Sequence, residues 1–190
     1  MKAAVYDETG APDVFRYEDA PDPVPNASEM LIKVEAISIE GGDTLKRLGG
    51  VMTNVPHIVG YQSAGTVIEV GREVEGYQVG DRVVSVGVDG SHAELRAASP
   101  SFSWKLPDGL STLEAACVPV SFGTADGCLF QFGHLVEGET AFIRAGAGGV
   151  GIEAIQLAKR ARARVLATAS SDDRLERLKD FGLDEESFRC

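Results

Sequence analysis

Three glycines, Gly146, Gly148 and Gly151, stand between an apolar run from Ala141 to Ala145 and a stretch with helical periodicity. Strand, Gly-x-Gly-x-x-Gly and helix, in that order, form a device for holding a dinucleotide pyrophosphate. The first glycine permits a tight turn, the second lets backbone approach the anion, and the third lets helix and strand pack closely. The helix then directs its free N–H groups at negative charge. Glycines also gather in ordinary surface turns, so a glycine-rich hairpin is the competing reading. The surroundings favour the dinucleotide. Val150, Ala154, Leu157, Ala158 and Ala161 recur at helical spacing, giving the helix a small apolar face for a sheet. A second apolar strand, Arg164 to Ala169, follows at the distance of a βαβ unit. The expected phosphate cradle is Gly146, Ala147, Gly148, Gly149, Val150 and Gly151.

The end of the second strand discriminates between dinucleotides. An acidic residue there, about 20 residues beyond the glycines, holds the ribose 2′-hydroxyl of NAD. This chain has Ala169-Ser170-Ser171 instead. Two hydroxyls and the nearby Arg174 suit a 2′-phosphate, because arginine offers a fixed fork of donors to phosphate oxygens. NADPH is therefore the expected cofactor, with Ser170, Ser171 and Arg174 at its phosphate. Asp172 and Asp173 are expected in the first turn of the next helix, where carboxylates suit the dipole; turned inward they would repel a phosphate. The other reading of the two serines is that they cap that helix. Residues 144 to 179 hold eight basic side chains against four acidic ones, a local positive excess in a chain of net charge −11.

The overall acidity argues against nucleic acid and anionic membranes as partners. No run of about 18 apolar residues points to a membrane-spanning helix. The N-terminus, Met-Lys-Ala-Ala-Val-Tyr-Asp-Glu, lacks the apolar core of a signal peptide. Three cysteines in 190 residues, Cys117, Cys128 and Cys190, are too few and too scattered for a disulfide framework. Cys117 and Cys128 read as small buried hydrophobes, and the expected compartment is reducing cytoplasm. His57, His92 and His134 form no His-Glu-x-x-His pattern, and no metal is expected.

Two kinds of element must position these residues. Up to about residue 107 the chain reads as β-rich, with runs at Lys2–Tyr6, Met30–Ile39, Thr66–Val70, Arg82–Val86 and His92–Ala97 punctuated by glycine and proline. Many short strands at this spacing suggest a small, partly closed barrel. From Thr112 the pattern turns helical, with apolar residues at Ala115, Ala116 and Val118 and again from Phe122 to Leu135. The lobe boundary is expected between residues 120 and 135, giving domains of 1–122 and 123–190.

With these pieces placed, the chain resembles the medium-chain dehydrogenase/reductase superfamily, and within it the zinc-independent quinone oxidoreductase (zeta-crystallin-like) branch. Val59-Gly-Tyr-Gln-Ser-Ala-Gly-Thr-Val-Ile-Glu-Val-Gly71 and Val79-Gly-Asp-Arg-Val83 match its barrel motif. Ala145-Gly-Ala-Gly-Gly-Val-Gly151, with Ala154, Gln156 and Ala158, matches its cofactor motif. The fold that this resemblance implies is α/β plus β: a GroES-like partly closed barrel lobe followed by the first part of a Rossmann domain. It also implies that Thr124 lies near the nicotinamide. The zinc-dependent branch has a cysteine shortly after the third strand and a histidine after the barrel glycine; this chain has Ile39-Glu40 and Gly60-Tyr61-Gln62 there. Around the substrate, the branch carries Asn-Pro-x-Asp-x-Tyr-x-Arg, against Glu40-Gly-Gly-Asp43-Thr-Leu45-Lys-Arg47 here. Glu40, Asp43 and Leu45 are the candidate substrate residues, with a structural Asp43–Arg47 ion pair as the preferred alternative for Asp43.

The implied activity is hydride transfer from NADPH to a quinone. A zinc-free enoyl or enone reductase and a non-catalytic NADPH-binding protein are the alternatives. A dinucleotide domain is built from two βαβαβ halves in the order 3-2-1-4-5-6. The sequence supplies a strand at Thr140–Ala145, its helix, the strand Arg164–Ala169 and a helix near Asp172–Phe181. Both edges of that strand pair are expected to lie open, which invites association. The chain thus reads as the N-terminal part of a longer reductase, with diminished turnover of its own and a homo-oligomeric state.

Overall fold

The computed structural model describes residues 1–189, with side chains up to Asp184. The chain forms two compact units, Met1–Val120 and the remainder from Ser121.

The first unit is built on antiparallel strands. Strands β1 (Lys2–Tyr6), β2 (Arg16–Asp19), β3 (Met30–Ile37), β4 (His57–Ile58), β5 (Gln62–Val70), β6 (Arg82–Val86), β7 (Leu95–Ala98) and β8 (Ser103–Lys105) make two sheets, ordered β7-β3-β5-β6-β8 and β2-β1-β4. The sheets meet where Ala3 bridges Ala93 and the Ala4 N–H donates to the His92 carbonyl at 2.9 Å. The lobe is thus curled without closing into one cylinder. Alternation along β3, β5 and β6 sends Met30, Ile32, Val67 and Val83 to one core and Ala64 and Val84 to another. Helix α2 (Thr112–Ala115) covers the second with Ala115 and Ala116. A reciprocal cap starts it: Ser111 Oγ accepts from the Glu114 N–H at 3.2 Å, and Glu114 accepts from the Ser111 N–H at 2.9 Å.

Glycine in the barrel motif is a matter of space. A Cβ at Gly65 would lie 2.0 Å from the Lys33 carbonyl oxygen, beside the bulge in β3 between Val34 and Ala36. Helix α1 (Gly41–Gly49), which carries Asp43 and Leu45, was not legible because glycines at both its ends interrupt the helical pattern. Three short strands, β2, β4 and β8, also went unseen.

The second unit is a parallel sheet with helices between its strands. Helix α3 (Pro119–Asp126) runs into it and continues as a π-helical turn, Gly127–Phe132. Strand β9 (Thr140–Ile143), helix α4 (Gly149–Arg160), strand β10 (Arg164–Ala169), helix α5 (Asp172–Leu178) and strand β11 (Glu185–Arg189) follow, with sheet order β11-β10-β9. This is the 3-2-1 half of the doubly wound order. It corrects the expectation on one side of the strand pair: β11 pairs in parallel with β10, so the edges among the described residues are β9, as expected, and β11 rather than β10. Glu-Glu-Ser-Phe-Arg has none of the β-branched, alternating character that marks a strand. The core gathers Ile143, Ala154, Ile155, Ala158, Val165, Ala167, Leu175 and Leu178.

Ile155 is fully buried in that core, and a Cβ at Gly146 would come within 3.3 Å of its Cδ1. Ile155→Ala should lower stability by about 2–5 kcal/mol, read from denaturant unfolding. A loss under about 1 kcal/mol would mean that this helix face is not the packed centre of the unit.

Candidate functional site

The glycine turn begins where the β9–β10 ladder stops. β9 pairs with β10 up to Ile143–Ala167, and the next hydrogen bonds come from the turn. The Ala145 N–H donates to Thr168 Oγ1 at 3.1 Å, and the Gly146 N–H donates to the Thr168 carbonyl at 2.7 Å. Buried Thr168 therefore ties the turn to β10 through two acceptors. Gly148 donates to the Ala145 carbonyl at 2.9 Å and opens α4 as its N-cap, with Ile152 donating back to the Gly148 carbonyl at 2.9 Å.

The glycines meet demands that differ from those read in the sequence. The left-handed residue is Ala145, with φ of 54°, rather than any of the motif glycines. That conformation costs a non-glycine residue about 1–2 kcal/mol. Gly146 and Gly151 are needed for space. A Cβ on Gly146 would meet Ala167 Cβ at 2.8 Å, and one on Gly151 would lie 2.5 Å from the Ala145 oxygen and 2.7 Å from Gly146 Cα. Gly149, in contrast, has nothing within 4 Å of a built Cβ. It borders a groove of about 600 Å³ lined also by Arg144, Gly148, Val150, Gly151 and, from the π-helical turn, Cys128 and Leu129. Ala125 joins the lining, whereas Thr124 is exposed on α3 just before it. The first turn of α4 carries no acidic residue, so its free N–H groups face the groove without a resident carboxylate.

At the end of β10 the two serines divide their work. Ser171 caps α5: its Oγ accepts from the Arg174 N–H at 3.4 Å. Ser170 is exposed, and its Oγ accepts from Arg174 Nη1 at 3.2 Å. Asp172 and Asp173 lie in the first turn of α5, as expected.

In the first unit, Glu40 is anchored. Its Oε1 accepts from Ser38 Oγ at 2.7 Å and from Gln62 Nε2 at 2.6 Å. Gln62 is fully buried; Nε2 also donates to Ser38 Oγ at 2.6 Å, and its Oε1 accepts from the Val120 N–H at 2.9 Å. The preferred Asp43–Arg47 pair does not form. Asp43, 2% exposed, accepts from the Glu40 N–H at 2.8 Å to cap α1, and its carboxylate faces His92 Nε2 at 3.8 Å. Arg47 lies over the Phe15 ring instead. Leu45 is 68% exposed and borders a separate hollow with Lys46, Leu48 and Tyr61. Among the described residues, no three His, Cys, Asp or Glu side chains stand together as metal ligands, and no helix is long and apolar enough to cross a membrane.

Buried Arg96 holds this wall in place. It donates to Ser63 Oγ and the Ser85 carbonyl at 3.3 and 3.1 Å, and to the Tyr61 and Asp89 carbonyls at 3.0 Å each. Burial pushes its pKa down to about 10, still cationic at neutral pH. Two signals were missed in the sequence, Thr168 and Gln62, since a lone threonine in a strand and a glutamine after a glycine carry no spacing rule. Cys117 and Cys128 are exposed rather than buried. The alanines beside Cys117 take the core positions, and Cys128 opens to the groove.

Three outcomes follow from this geometry. Gly151→Ala should unseat the turn and abolish dinucleotide binding, whereas Gly149→Ala should unfold at the parent's midpoint and lose affinity only because a methyl enters the groove. Calorimetric titration beside thermal unfolding separates the two, and an unchanged affinity in both variants would show that the turn is not a ligand site. Thr168→Val removes the acceptor of a partly buried N–H and should cost about 1–3 kcal/mol, measured by chemical unfolding; a neutral effect would contradict the two-point tie. Burial lowers the pKa of His92 and of His57 below the ordinary 6.5, against the opposing charges of Asp43 and Asp89. The unfolded chain then binds protons that the folded chain refuses, so stability should be level above about pH 6.5 and fall below it. A stability flat from about pH 7 to pH 5 would contradict neutral buried imidazoles.

Residues 26–108 match the alcohol dehydrogenase GroES-like domain. A quinone oxidoreductase of Lama guanicoe is 32% identical over 177 residues, which cover 91% of this chain and 54% of that protein. The erythronolide synthase EryA2 of Saccharopolyspora erythraea is 37% identical over 180 residues, 93% of this chain and 5% of that protein. The structure of Escherichia coli quinone oxidoreductase complexed with NADPH is similar with a TM-score of 0.93 at 25% identity, covering 99% of this chain and 58% of that one. The chain thus spans about half the length of the quinone oxidoreductases that it matches. With a GroES-like lobe followed by the 3-2-1 half of a Rossmann sheet, the chain belongs to the medium-chain dehydrogenase/reductase superfamily, as a quinone-oxidoreductase-like member.

Proposed function

We propose that this chain provides the barrel lobe and the cofactor cradle of an NADPH-dependent oxidoreductase that reduces quinones. The observation that carries this reading is the start of α4, free of carboxylates in its first turn, reached through a turn that is tied to Thr168 and accompanied at the end of β10 by Ser170 and Arg174. The N–H groups around Gly148, Gly149, Val150 and Gly151 suit the diphosphate, with Gly146 and Ala147 shaping the turn. Ser170 and Arg174 suit a 2′-phosphate, and Ser171 acts through the cap that fixes the start of α5. No carboxylate ends β10 to select a free 2′-hydroxyl. Similarity to a quinone oxidoreductase solved with NADPH supports the same cofactor.

The nicotinamide of NADPH supplies the hydride. The protein's task is to hold that ring against the acceptor, for which Thr124 is the proposed contact in the second unit. Glu40 and Leu45 are proposed for the acceptor side, with Gln62 and Ser38 fixing the Glu40 carboxylate; Asp43, expected there from the sequence, is buried and serves as the cap of α1 instead. A quinone is stabilised as its oxygen anion forms, so solvent suffices as proton donor and no dedicated acid is required. No metal takes part. A second reading, reduction of an enone or enoyl group, is favoured by the similarity to a polyketide synthase and by Leu45 where quinone reductases commonly carry tyrosine.

Following NADPH oxidation with a simple quinone and with an enoyl thioester tests both. The quinone should be consumed at least about tenfold more efficiently, a difference of about 1.4 kcal/mol in transition-state binding. The reverse order would make this an enoyl reductase, and tight NADPH binding with no turnover of either acceptor would make it a non-catalytic NADPH-binding protein.

A further inference from the structure

A second cleft, of about 300 Å³, is lined by Ala147 of the glycine turn and by Ile152, Arg174, Arg177, Leu178 and Phe181. Its apolar lining carries two guanidinium groups, three residues apart on α5 and therefore neighbours on one helix face. Arg174 is held towards Ser170. Arg177 is exposed and forms no ion pair among the described residues. The carboxylates nearest in sequence do not neutralise it: Glu176 is paired with Lys179 at 2.5 Å, and Asp173, one turn earlier, makes no ion pair with it. Two guanidinium groups on one helix face over an apolar floor suit a compact dianion better than a neutral ring. The cleft's volume is at the lower end for small-molecule sites, enough for a phosphoribosyl end and too small for a whole dinucleotide. Its other wall is Ala147, inside the turn that faces the diphosphate.

We infer that Arg177 is a second binding residue for the phosphate monoester on the adenosine ribose, closing on it from the side opposite Ser170, with Arg174 between them. This rests on the NADPH reading above and extends it: selection against NADH is shared by two arginines, the second one helical turn further along α5. Phosphate oxygens bridged by both guanidinium groups would be bound in a fork that neither lysine nor glutamine reproduces.

Binding of NADPH, NADH, adenosine 2′,5′-bisphosphate and adenosine 5′-monophosphate to the full chain, measured by calorimetry for the parent, Arg177→Gln, Arg177→Lys and Arg174→Gln, tests the inference. Arg177→Gln should weaken NADPH and the bisphosphate at least about tenfold, leave NADH and the monophosphate within about twofold, and be only partly restored by lysine. A parent that prefers NADPH while Arg177→Gln keeps that preference overturns the role of Arg177 alone. Equal weakening of all four ligands would likewise overturn it, by showing a structural role. A parent that binds NADPH and NADH equally overturns the NADPH reading and this inference with it.

Discussion

Everything proposed for this chain depends on how closely the first turn of α4 approaches the end of β9. Gly151 stands against the Ala145 carbonyl and the Gly146 backbone at distances that admit no Cβ, and Gly146 is pressed on Ala167 and Leu178. That contact draws the helix start towards the sheet, so its unsatisfied N–H groups are presented at the mouth of a groove rather than spent on a side-chain cap. Thr168 makes the approach rigid by accepting from two successive backbone N–H groups. Ala145, left-handed without being glycine, absorbs the resulting strain. Strand, turn and helix are one device, and the core of Ile155, Ala158, Val165 and Leu178 is what holds it shut.

The first unit follows the same logic with side chains in place of N–H groups. Arg96 is buried and satisfied by three carbonyls and a serine, fixing the Tyr61–Ser63 segment. Gln62 then has one orientation, in which both amide donors are used on Ser38 and Glu40 and the amide oxygen is used on the Val120 N–H. Glu40 becomes a carboxylate of defined position at the start of α1, a helix capped by Asp43. Where zinc-dependent relatives carry a histidine, Tyr61 lies so close to α1 that a Cβ on Gly42 would meet its ring at 2.4 Å.

Much of this is legible in the sequence. The cradle could be read because strand, glycine spacing and helix each obey a rule that one sequence displays. Strands Lys2–Tyr6 and Arg82–Val86 appeared at their full extent because alternation and glycine punctuation bound them sharply. What stayed hidden lacks local periodicity. β11 is polar, α1 is broken by glycines, and β4 is two residues long and exists only because β1 is beside it. The roles of Asp43, Thr168 and Gln62 are set by partners far along the chain, such as His92, Ala145 and Val120. No spacing rule reaches them. The serine pair was read as two phosphate ligands with capping as the alternative; one serine turns out to cap α5, and the other is held by Arg174.

The central claim is that the turn from Gly146 to Gly151 receives a dinucleotide diphosphate while the end of β10 receives its 2′-phosphate. Titration of the isotopically labelled chain with NADPH, followed through backbone amide resonances, addresses it most directly. The account predicts saturable shifts at Gly148, Gly149, Val150 and Gly151 together with Ser170 and Arg174, the latter pair smaller with NADH. Shifts confined to the first unit, or none that saturate, would contradict it.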